Sequence, residues 1–433
     1  MKRTFTRRSA LWLATAATVP TAALMPAYAQ APAAAPAAPA APAAWSDTLK
    51  FGLQIEGGIL GNTASPKNGV NFGQLFTDKS NDFQLNQVLA TITRPLDPKA
   101  TGYDFGFKIQ GLAGTDARYT RWVQSGNQGK SRIQGDVVEA NVLLHTPWMT
   151  EGGIDFKVGM YSTPMGAETI DPSTNPFYSH SYIFNFGLPL KHTGGLMTVH
   201  ATDIVDVYAG VDSGVNTTWQ INRGDNNGAA AFMGGIGLNL MGGNLTVLGL
   251  THIGPENPVQ NPGHPFGLSG ANGIYRYYGD LVAIWKANDK LTITGEANFV
   301  HDDVAAYNKP TAYGFAAYAS YAQSDSLAFN VRGEVFRDDK NFFVFGMTGV
   351  NDAVNLQSGF AAPTVYAVPG TKGTTYGALT VGLTYKPTIA KLPGTLMIRP
   401  ELRYDTSMSG TKPYNGGKDN GAFMLGSDFV LSF

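Results

Sequence analysis

The residues best suited to chemistry gather between positions 162 and 193. Glu168, Asp171, His180, Lys191 and His192 share that stretch with Pro164, Pro172, Pro176 and Pro189. Carboxylates, imidazoles and an ammonium on one proline-stiffened loop suit selection of solutes by charge at a narrow passage. They do not have the spacing of a catalytic device. There is no HExxH, GxSxG elbow or phosphate-binding loop, and the seven histidines are scattered. His301-Asp302-Asp303 could suggest a metal or hydrolytic site, but it falls at the end of an expected strand, where a solvated loop entry is the simpler reading. With no cysteine, thiol nucleophiles, thiolate metal sites and disulfides are excluded. We therefore expect no catalytic residue, no metal and no cofactor.

Elements that could position such a loop are strands. No window after the first thirty residues is continuously apolar over eighteen positions. Period-two alternation recurs instead: Tyr103, Phe105, Phe107 and Ile109 alternate with Asp104, Gly106, Lys108 and Gln110, and Leu327, Phe329 and Val331 with Asn330 and Arg332. Segments of this kind are expected near 48–60, 83–94, 102–112, 136–147, 154–161, 194–201, 204–213, 231–240, 244–254, 274–286, 290–302, 311–323, 325–338, 375–386, 395–407 and 421–433. That is about sixteen strands of bilayer-crossing length. Short connections alternate with long ones, so both chain ends fall on one side. Lipid offers no hydrogen bonds to a sheet edge, so the sheet must close. The expected fold is all-β: a transmembrane antiparallel β-barrel with short periplasmic turns and long outer loops. Tyr103, Tyr161, Trp285, Tyr385 and Tyr404, near segment ends, are expected to form interfacial girdles.

The chain divides into a leader, a tether and this barrel. Lys2, Arg3, Arg7 and Arg8, an apolar run from Ala10 to about Met25 and the Ala27-Tyr28-Ala29 site read as a cleaved signal peptide over 1–29. Ala10 and Leu11 lack the bulky aromatic that a twin-arginine signal needs after Arg7-Arg8, so an ordinary basic start is preferred. Residues 30–44 are almost wholly alanine and proline, a linker too poor to build a core. The barrel takes 45–433. Cleavage leaves 27 basic and 32 acidic residues, a net charge of −5, and even the full chain at −1 gives no case for a nucleic-acid partner.

Alternation also assigns faces. Lys108, Lys157, Arg332, Arg399 and Arg403 fall on polar, lumen-facing positions, as do Asp104, Asp155, Glu296, Glu334 and Glu401. The set is balanced, and reads either as a positive wall of Arg332, Arg399 and Arg403 facing an acidic loop or as mutually neutralising salt bridges. Pro400 cannot donate to a ladder, so a bulge is expected there. Phe429, Leu431 and Phe433 face lipid on the final segment.

A C-terminal strand ending in phenylalanine resembles bacterial outer-membrane proteins, in which it is the signal read by the barrel-assembly machinery. Two further stretches narrow the resemblance: Gly159-Met160-Tyr161 through Glu168, with Asn175-Pro176, the Tyr178–Tyr182 run and His192-Thr193-Gly194; and Ile398–Asp405. Together they resemble the OmpL-like β-barrel porin-2 family over most of 48–433. The resemblance implies a pore-forming barrel in the outer membrane of a Gram-negative bacterium; the leading reading of the whole sequence is a porin passing small hydrophilic solutes by passive diffusion. By likeness to general porins, the loop 162–193 would fold inward with Glu168 and Asp171 at the eyelet, and a homotrimer is expected. The alternative is a barrel closed by that loop, acting as a structural or adhesive surface protein through loops 255–273 and 339–374. An outer-membrane hydrolase is the least favoured reading.

Overall fold

In a computed structural model the described residues are 48–121, 131–218, 225–260, 267–344 and 372–433. The signal peptide and the linker lie outside them, as do parts of the two loops considered for adhesion.

Sixteen antiparallel strands form one closed barrel. They are β1 Lys50–Asn62, β2 Phe83–Arg94, β3 Asp104–Gly114, β4 Gln134–Thr146, β5 Ile154–Ser162, β6 Lys191–His200, β7 Val205–Asp212 and β8 Ala231–Leu240. The second half comprises β9 Leu245–Pro255, β10 Tyr275–Lys286, β11 Leu291–Asp302, β12 Thr311–Ser324, β13 Leu327–Asp338, β14 Thr374–Tyr385, β15 Thr395–Ser407 and β16 Gly421–Ser432. Each strand pairs with its sequence neighbours, and β1 pairs with β16 from Gln54 opposite Ser432 to Asn62 opposite Met424. No edge is left, so every ladder group finds a partner in an environment that supplies none.

The solvent pattern is inverted relative to a soluble sheet. Phe51, Phe105, Ile109, Val158, Ile236, Leu281, Phe315, Val331, Leu379 and Leu425 are exposed on the outer face. The alternate positions are buried, and many are charged: Glu139, Glu296, Arg332, Glu334, Arg399, Glu401, Arg403 and Asp428. On β16, Phe423, Leu425 and Phe433 are exposed and Phe429 and Leu431 half-buried, while Asp428 and Val430 between them are buried.

Tyr103, Trp285, Tyr385 and Tyr404 are exposed near strand ends. Tyr103 is tied to Trp148 by an indole N–H donated to its hydroxyl at 2.9 Å. Tyr161 is not part of any girdle: it is fully buried, because it shares the lumen parity of Asp155, Lys157 and Gly159. Pro400 does not cause a bulge. It stays in register opposite Ser427, and β14 and β15 keep one register on either side of it, Gly382 with Glu401 and Tyr385 with Ile398. The missing N–H is absorbed by a lapse in the ladder between those two pairs, which costs less than shifting every later side chain to the wrong face.

A second core fills part of the lumen. Phe72, Leu75 and Phe76 from the 63–82 connection pack with Phe177, Tyr182, Ile183, Phe184, Phe186 and Leu188 from 163–190, against Phe336, Tyr376 and Tyr414. Burying each large apolar side chain contributes about 1.5–3 kcal/mol. The 63–82 connection therefore folds inward rather than standing free. Gly73 allows this, with φ +85° and the Tyr182 hydroxyl 2.6 Å from where a Cβ would be.

Candidate functional site

The connection 163–190 crosses the lumen and is held on several sides. At its start, the backbone N–H of Gly166 donates to Asp280 on β10 at 2.7 Å and that of Ala167 to Glu296 on β11 at 3.2 Å. Next comes Glu168, the most heavily partnered group of the loop. It accepts from Arg332 Nη1 at 2.6 Å, Tyr318 at 3.0 Å, the Ser181 N–H at 2.9 Å, and pairs with His180 Nδ1 at 2.9 Å. Burial pushes its carboxyl up, but the Arg332 guanidinium and His180 more than offset this and hold it at about 2. His180 stacks on Phe184 with ring centroids 4.0 Å apart, and its own pKa is lowered, chiefly by burial.

Further along, Asp171 caps a short turn, accepting from the Ser173 N–H and hydroxyl at 2.9 and 2.7 Å. Gln87 on β2 donates to the Ile170 carbonyl at 2.9 Å, and Arg399 on β15 to those of Pro172 and Asn175, both at 2.8 Å. Glu401 accepts the N–H groups of Tyr178 and Ser179, and Glu334 that of Tyr182 at 2.6 Å. Arg403 donates to the His180 carbonyl at 3.1 Å. A single π-helical turn, Ile183–Gly187, brings the chain back toward β6.

These contacts define what the wall charges do. Arg332, Glu334, Arg399, Glu401 and Arg403 are not a positive surface open to water. They are buried and spent on the loop and on each other: Arg403 forks onto Asp405 at 2.7 Å and meets Glu334 at 3.1 Å, while Arg399 joins Glu56 and Asp428. Lys191 and His192 are not in the loop at all. They open β6, where Lys191 Nζ pairs with Asp136 at 2.6 Å and His192 lies beside Asp212 at 3.2 Å. The sheet reaches further than alternation indicates because Gly194 and Gly195 interrupt it.

Among the described residues, open space lies beside the β3 and β4 wall. A narrow cleft, open to solvent, runs between Lys108, Gln110 and Glu139 on β3 and β4 and Thr163, Glu168, Thr169, Asp171 and Thr174 of the loop, its lining completed by apolar loop residues such as Met165, Ile170 and Leu188. Lys108 Nζ pairs with Glu139 at 3.3 Å, and Lys157 extends past Tyr161 with its ammonium 5.7 Å from the ring. Both lysines are half-buried, unlike the arginines.

The His301-Asp302-Asp303 triplet does not form one site. Asp302 is buried against Arg276 at 2.7 Å and Asn257, whereas His301 bonds Thr311 and Asp303 pairs with Lys309 at the outer rim.

Asp116, which in the sequence only flanks a polar loop together with Asp136, stands just after β3 and accepts from Asn86 and Gln87, both at 2.9 Å. Burial pushes its carboxyl up to about 7 against those hydrogen bonds. The stability that protonation lends is fully present below the usual aspartate range and lost as pH rises through about 7. Urea unfolding of the lipid-reconstituted chain should show a falling midpoint between pH 5 and pH 8, and Asp116→Asn should flatten that slope.

A sixteen-stranded closed barrel with short turns on one side, long loops on the other and a loop folded into its lumen is the architecture of outer-membrane porins. The chain belongs to the family described as "Putative beta-barrel porin-2, OmpL-like", which matches residues 48–433, and it is an outer-membrane porin of that family. No curated protein matches it in sequence. Among solved structures it is similar to an anion-selective porin from Comamonas acidovorans, 8% identical, with TM-score 0.55 over 89% of this chain and 99% of the other. It is also similar to the trimer form of OmpT from Vibrio cholerae (12%, TM-score 0.53, 89% and 99%) and to the channel DcaP of Acinetobacter baumannii (10%, TM-score 0.51, 89% and 97%). At these identities the likeness is one of fold.

Proposed function

We propose that this porin is a passive, non-enzymatic channel in the Gram-negative outer membrane, exported by its cleaved signal peptide and inserted by the barrel-assembly machinery through Phe429, Leu431 and Phe433. Small hydrophilic solutes diffuse through the cleft between the β3–β5 wall and the lumen loop. The observation that carries this reading is the asymmetry of the lumen: one side is sealed by the arginine-anchored loop, while the other keeps polar and charged groups beside open space. Asp171 on the loop and Lys108 and Lys157 on the wall set a transverse field that orients dipolar solutes. Glu168, neutralised by Arg332, acts as an anchor. A homotrimer belongs to the proposal by likeness to the trimeric OmpT structure.

The aromatic packing of 63–82 against 163–190 favours a second reading, a barrel closed at rest. Planar-bilayer recording decides between them. Stepwise ohmic openings with weak ion preference are expected; folded, inserted protein that never conducts would establish the closed barrel.

A further inference from the structure

Three residues from three strands meet near the outer mouth, behind the Thr163 end of the cleft: His192 at the start of β6, Asp212 at the end of β7 and His252 on β9. All are fully buried, and a ligand atom from each lies within 4.8 Å of the others. His192 Nδ1 stands 3.2 Å from Asp212 Oδ2, yet neither atom makes a hydrogen bond. On the other oxygen of the same carboxylate, His252 Nε2 lies at 3.0 Å. Two buried polar atoms that face each other without a hydrogen bond are costly unless something joins them.

We propose that His192, Asp212 and His252 bind a divalent transition-metal ion, zinc in the first instance, that staples β6, β7 and β9 beneath the outer loops. Metal–nitrogen and metal–oxygen bonds of ~2.0–2.2 Å in a tetrahedron set ligand atoms roughly 3.3–3.5 Å apart; the 3.0 and 3.2 Å contacts, one to each carboxylate oxygen, need a small expansion and the widest separation, within 4.8 Å, a side-chain contraction of about 1 Å to reach this. Two imidazoles with a carboxylate and no thiolate suit zinc better than calcium or magnesium. The surroundings have the form of an outer shell. Thr163 Oγ1 meets His192 Nε2 at 3.1 Å, which leaves Nδ1 for the metal, and Glu256 stands 3.7 Å from His252 Nδ1, where a carboxylate raises the basicity of a bound imidazole. Because Thr163 opens the lumen loop, the ion would also fix the root of that loop.

The test uses the refolded full chain in detergent, stripped with EDTA and titrated with zinc chloride by calorimetry, with bound zinc counted by mass spectrometry. One ion per chain and a higher unfolding temperature on loading are expected. His192→Gln and His252→Gln should each weaken binding by about tenfold or more, while His200→Gln, whose imidazole is hydrogen-bonded to Asp206 and Asp155, should leave it unchanged. Absence of stoichiometric zinc on folded wild-type protein, or equal binding by the two variants, would overturn the proposal. Should the variants not fold, X-ray absorption of zinc-loaded wild type decides it: two imidazole ligands support the site and none refutes it.

Discussion

Arg332→Ala is expected to release the lumen loop and raise single-channel conductance several-fold. Arg332 is the joint between β13 and the loop: besides Glu168 it holds the Ser179 carbonyl at 2.8 Å, the Ser179 hydroxyl at 3.1 Å and Thr380 at 3.2 Å, with its guanidinium 5.0 Å over the Phe177 ring. Removing it leaves Glu168 and Glu334 buried without their shared cation, and breaking such a pair from one side costs about 3–5 kcal/mol. The loop stays tied elsewhere to Asp280, Glu296 and Arg399, but around Glu168 and Ser179 it loses its joint to β13 and cannot absorb that cost and retain its position. In the wild type, the contribution of Glu168 is fully present above the usual glutamate range and is lost as pH falls through about 2, so conductance should be steady from neutrality down to pH 4. In the variant it should vary with pH over that same range, because the carboxyl returns upward once the guanidinium is gone. Bilayer recordings at several pH values, on protein whose folded barrel is verified by heat-dependent gel mobility, check both. Unchanged conductance from folded variant protein would show that the loop does not depend on this joint.

Replacing both wall lysines should shift ion preference without moving the loop. Lys108→Gln with Lys157→Gln removes two ammoniums and leaves Glu139, Asp171 and the Arg332-paired Glu168 as the charges beside the cleft. One uncompensated charge about 4 Å from a permeating ion is worth ~1 kcal/mol in a water-like medium, roughly a five-fold change in the local occupancy of each ion and in opposite directions for cations and anions. The reversal potential under a potassium chloride gradient should therefore move toward the cation limit. If it stays put while conductance is normal, ions take a route that avoids the β3–β5 wall.

Most of the barrel was legible because lipid leaves a strand little choice. Tyr103 to Ile109 and Leu327 to Val331 show one apolar and one polar face, and the strands they mark lie where the alternation places them, with ends displaced by a few residues. The site was less legible. Alternation puts Arg332, Glu334, Arg399, Glu401 and Arg403 inside but is silent on whether they meet water, and that depends on a loop from a distant part of the chain. Phe72, Leu75 and Phe76 gave a missed clue, since apolar residues clustered within a polar connection need something to pack on. Tyr161 was misassigned by its nearness to a strand end although its own parity pointed inward. His192, Asp212 and His252 have no local spacing to betray them; only the curvature of the closed sheet brings them together.

The position of Arg399 bears on how the molecule is made and lost. Its guanidinium, on β15, joins Glu56 of β1 to Asp428 of β16 across the seam where the ends of the chain meet. The contact with Asp428 lies within one hairpin, but Arg399 and Glu56 are 343 residues apart, so that pair contributes nothing until closure is almost complete, when loop entropy has already been lost. A contact formed that late is absent from the transition state for folding, and its strength therefore appears almost entirely in the rate of escape from the native state. Glu56→Gln, which weakens the seam contact and leaves the Arg399–Asp428 pair intact, should leave the speed of barrel formation nearly unaltered while shortening the lifetime of the finished pore, because the seam is where it would first reopen.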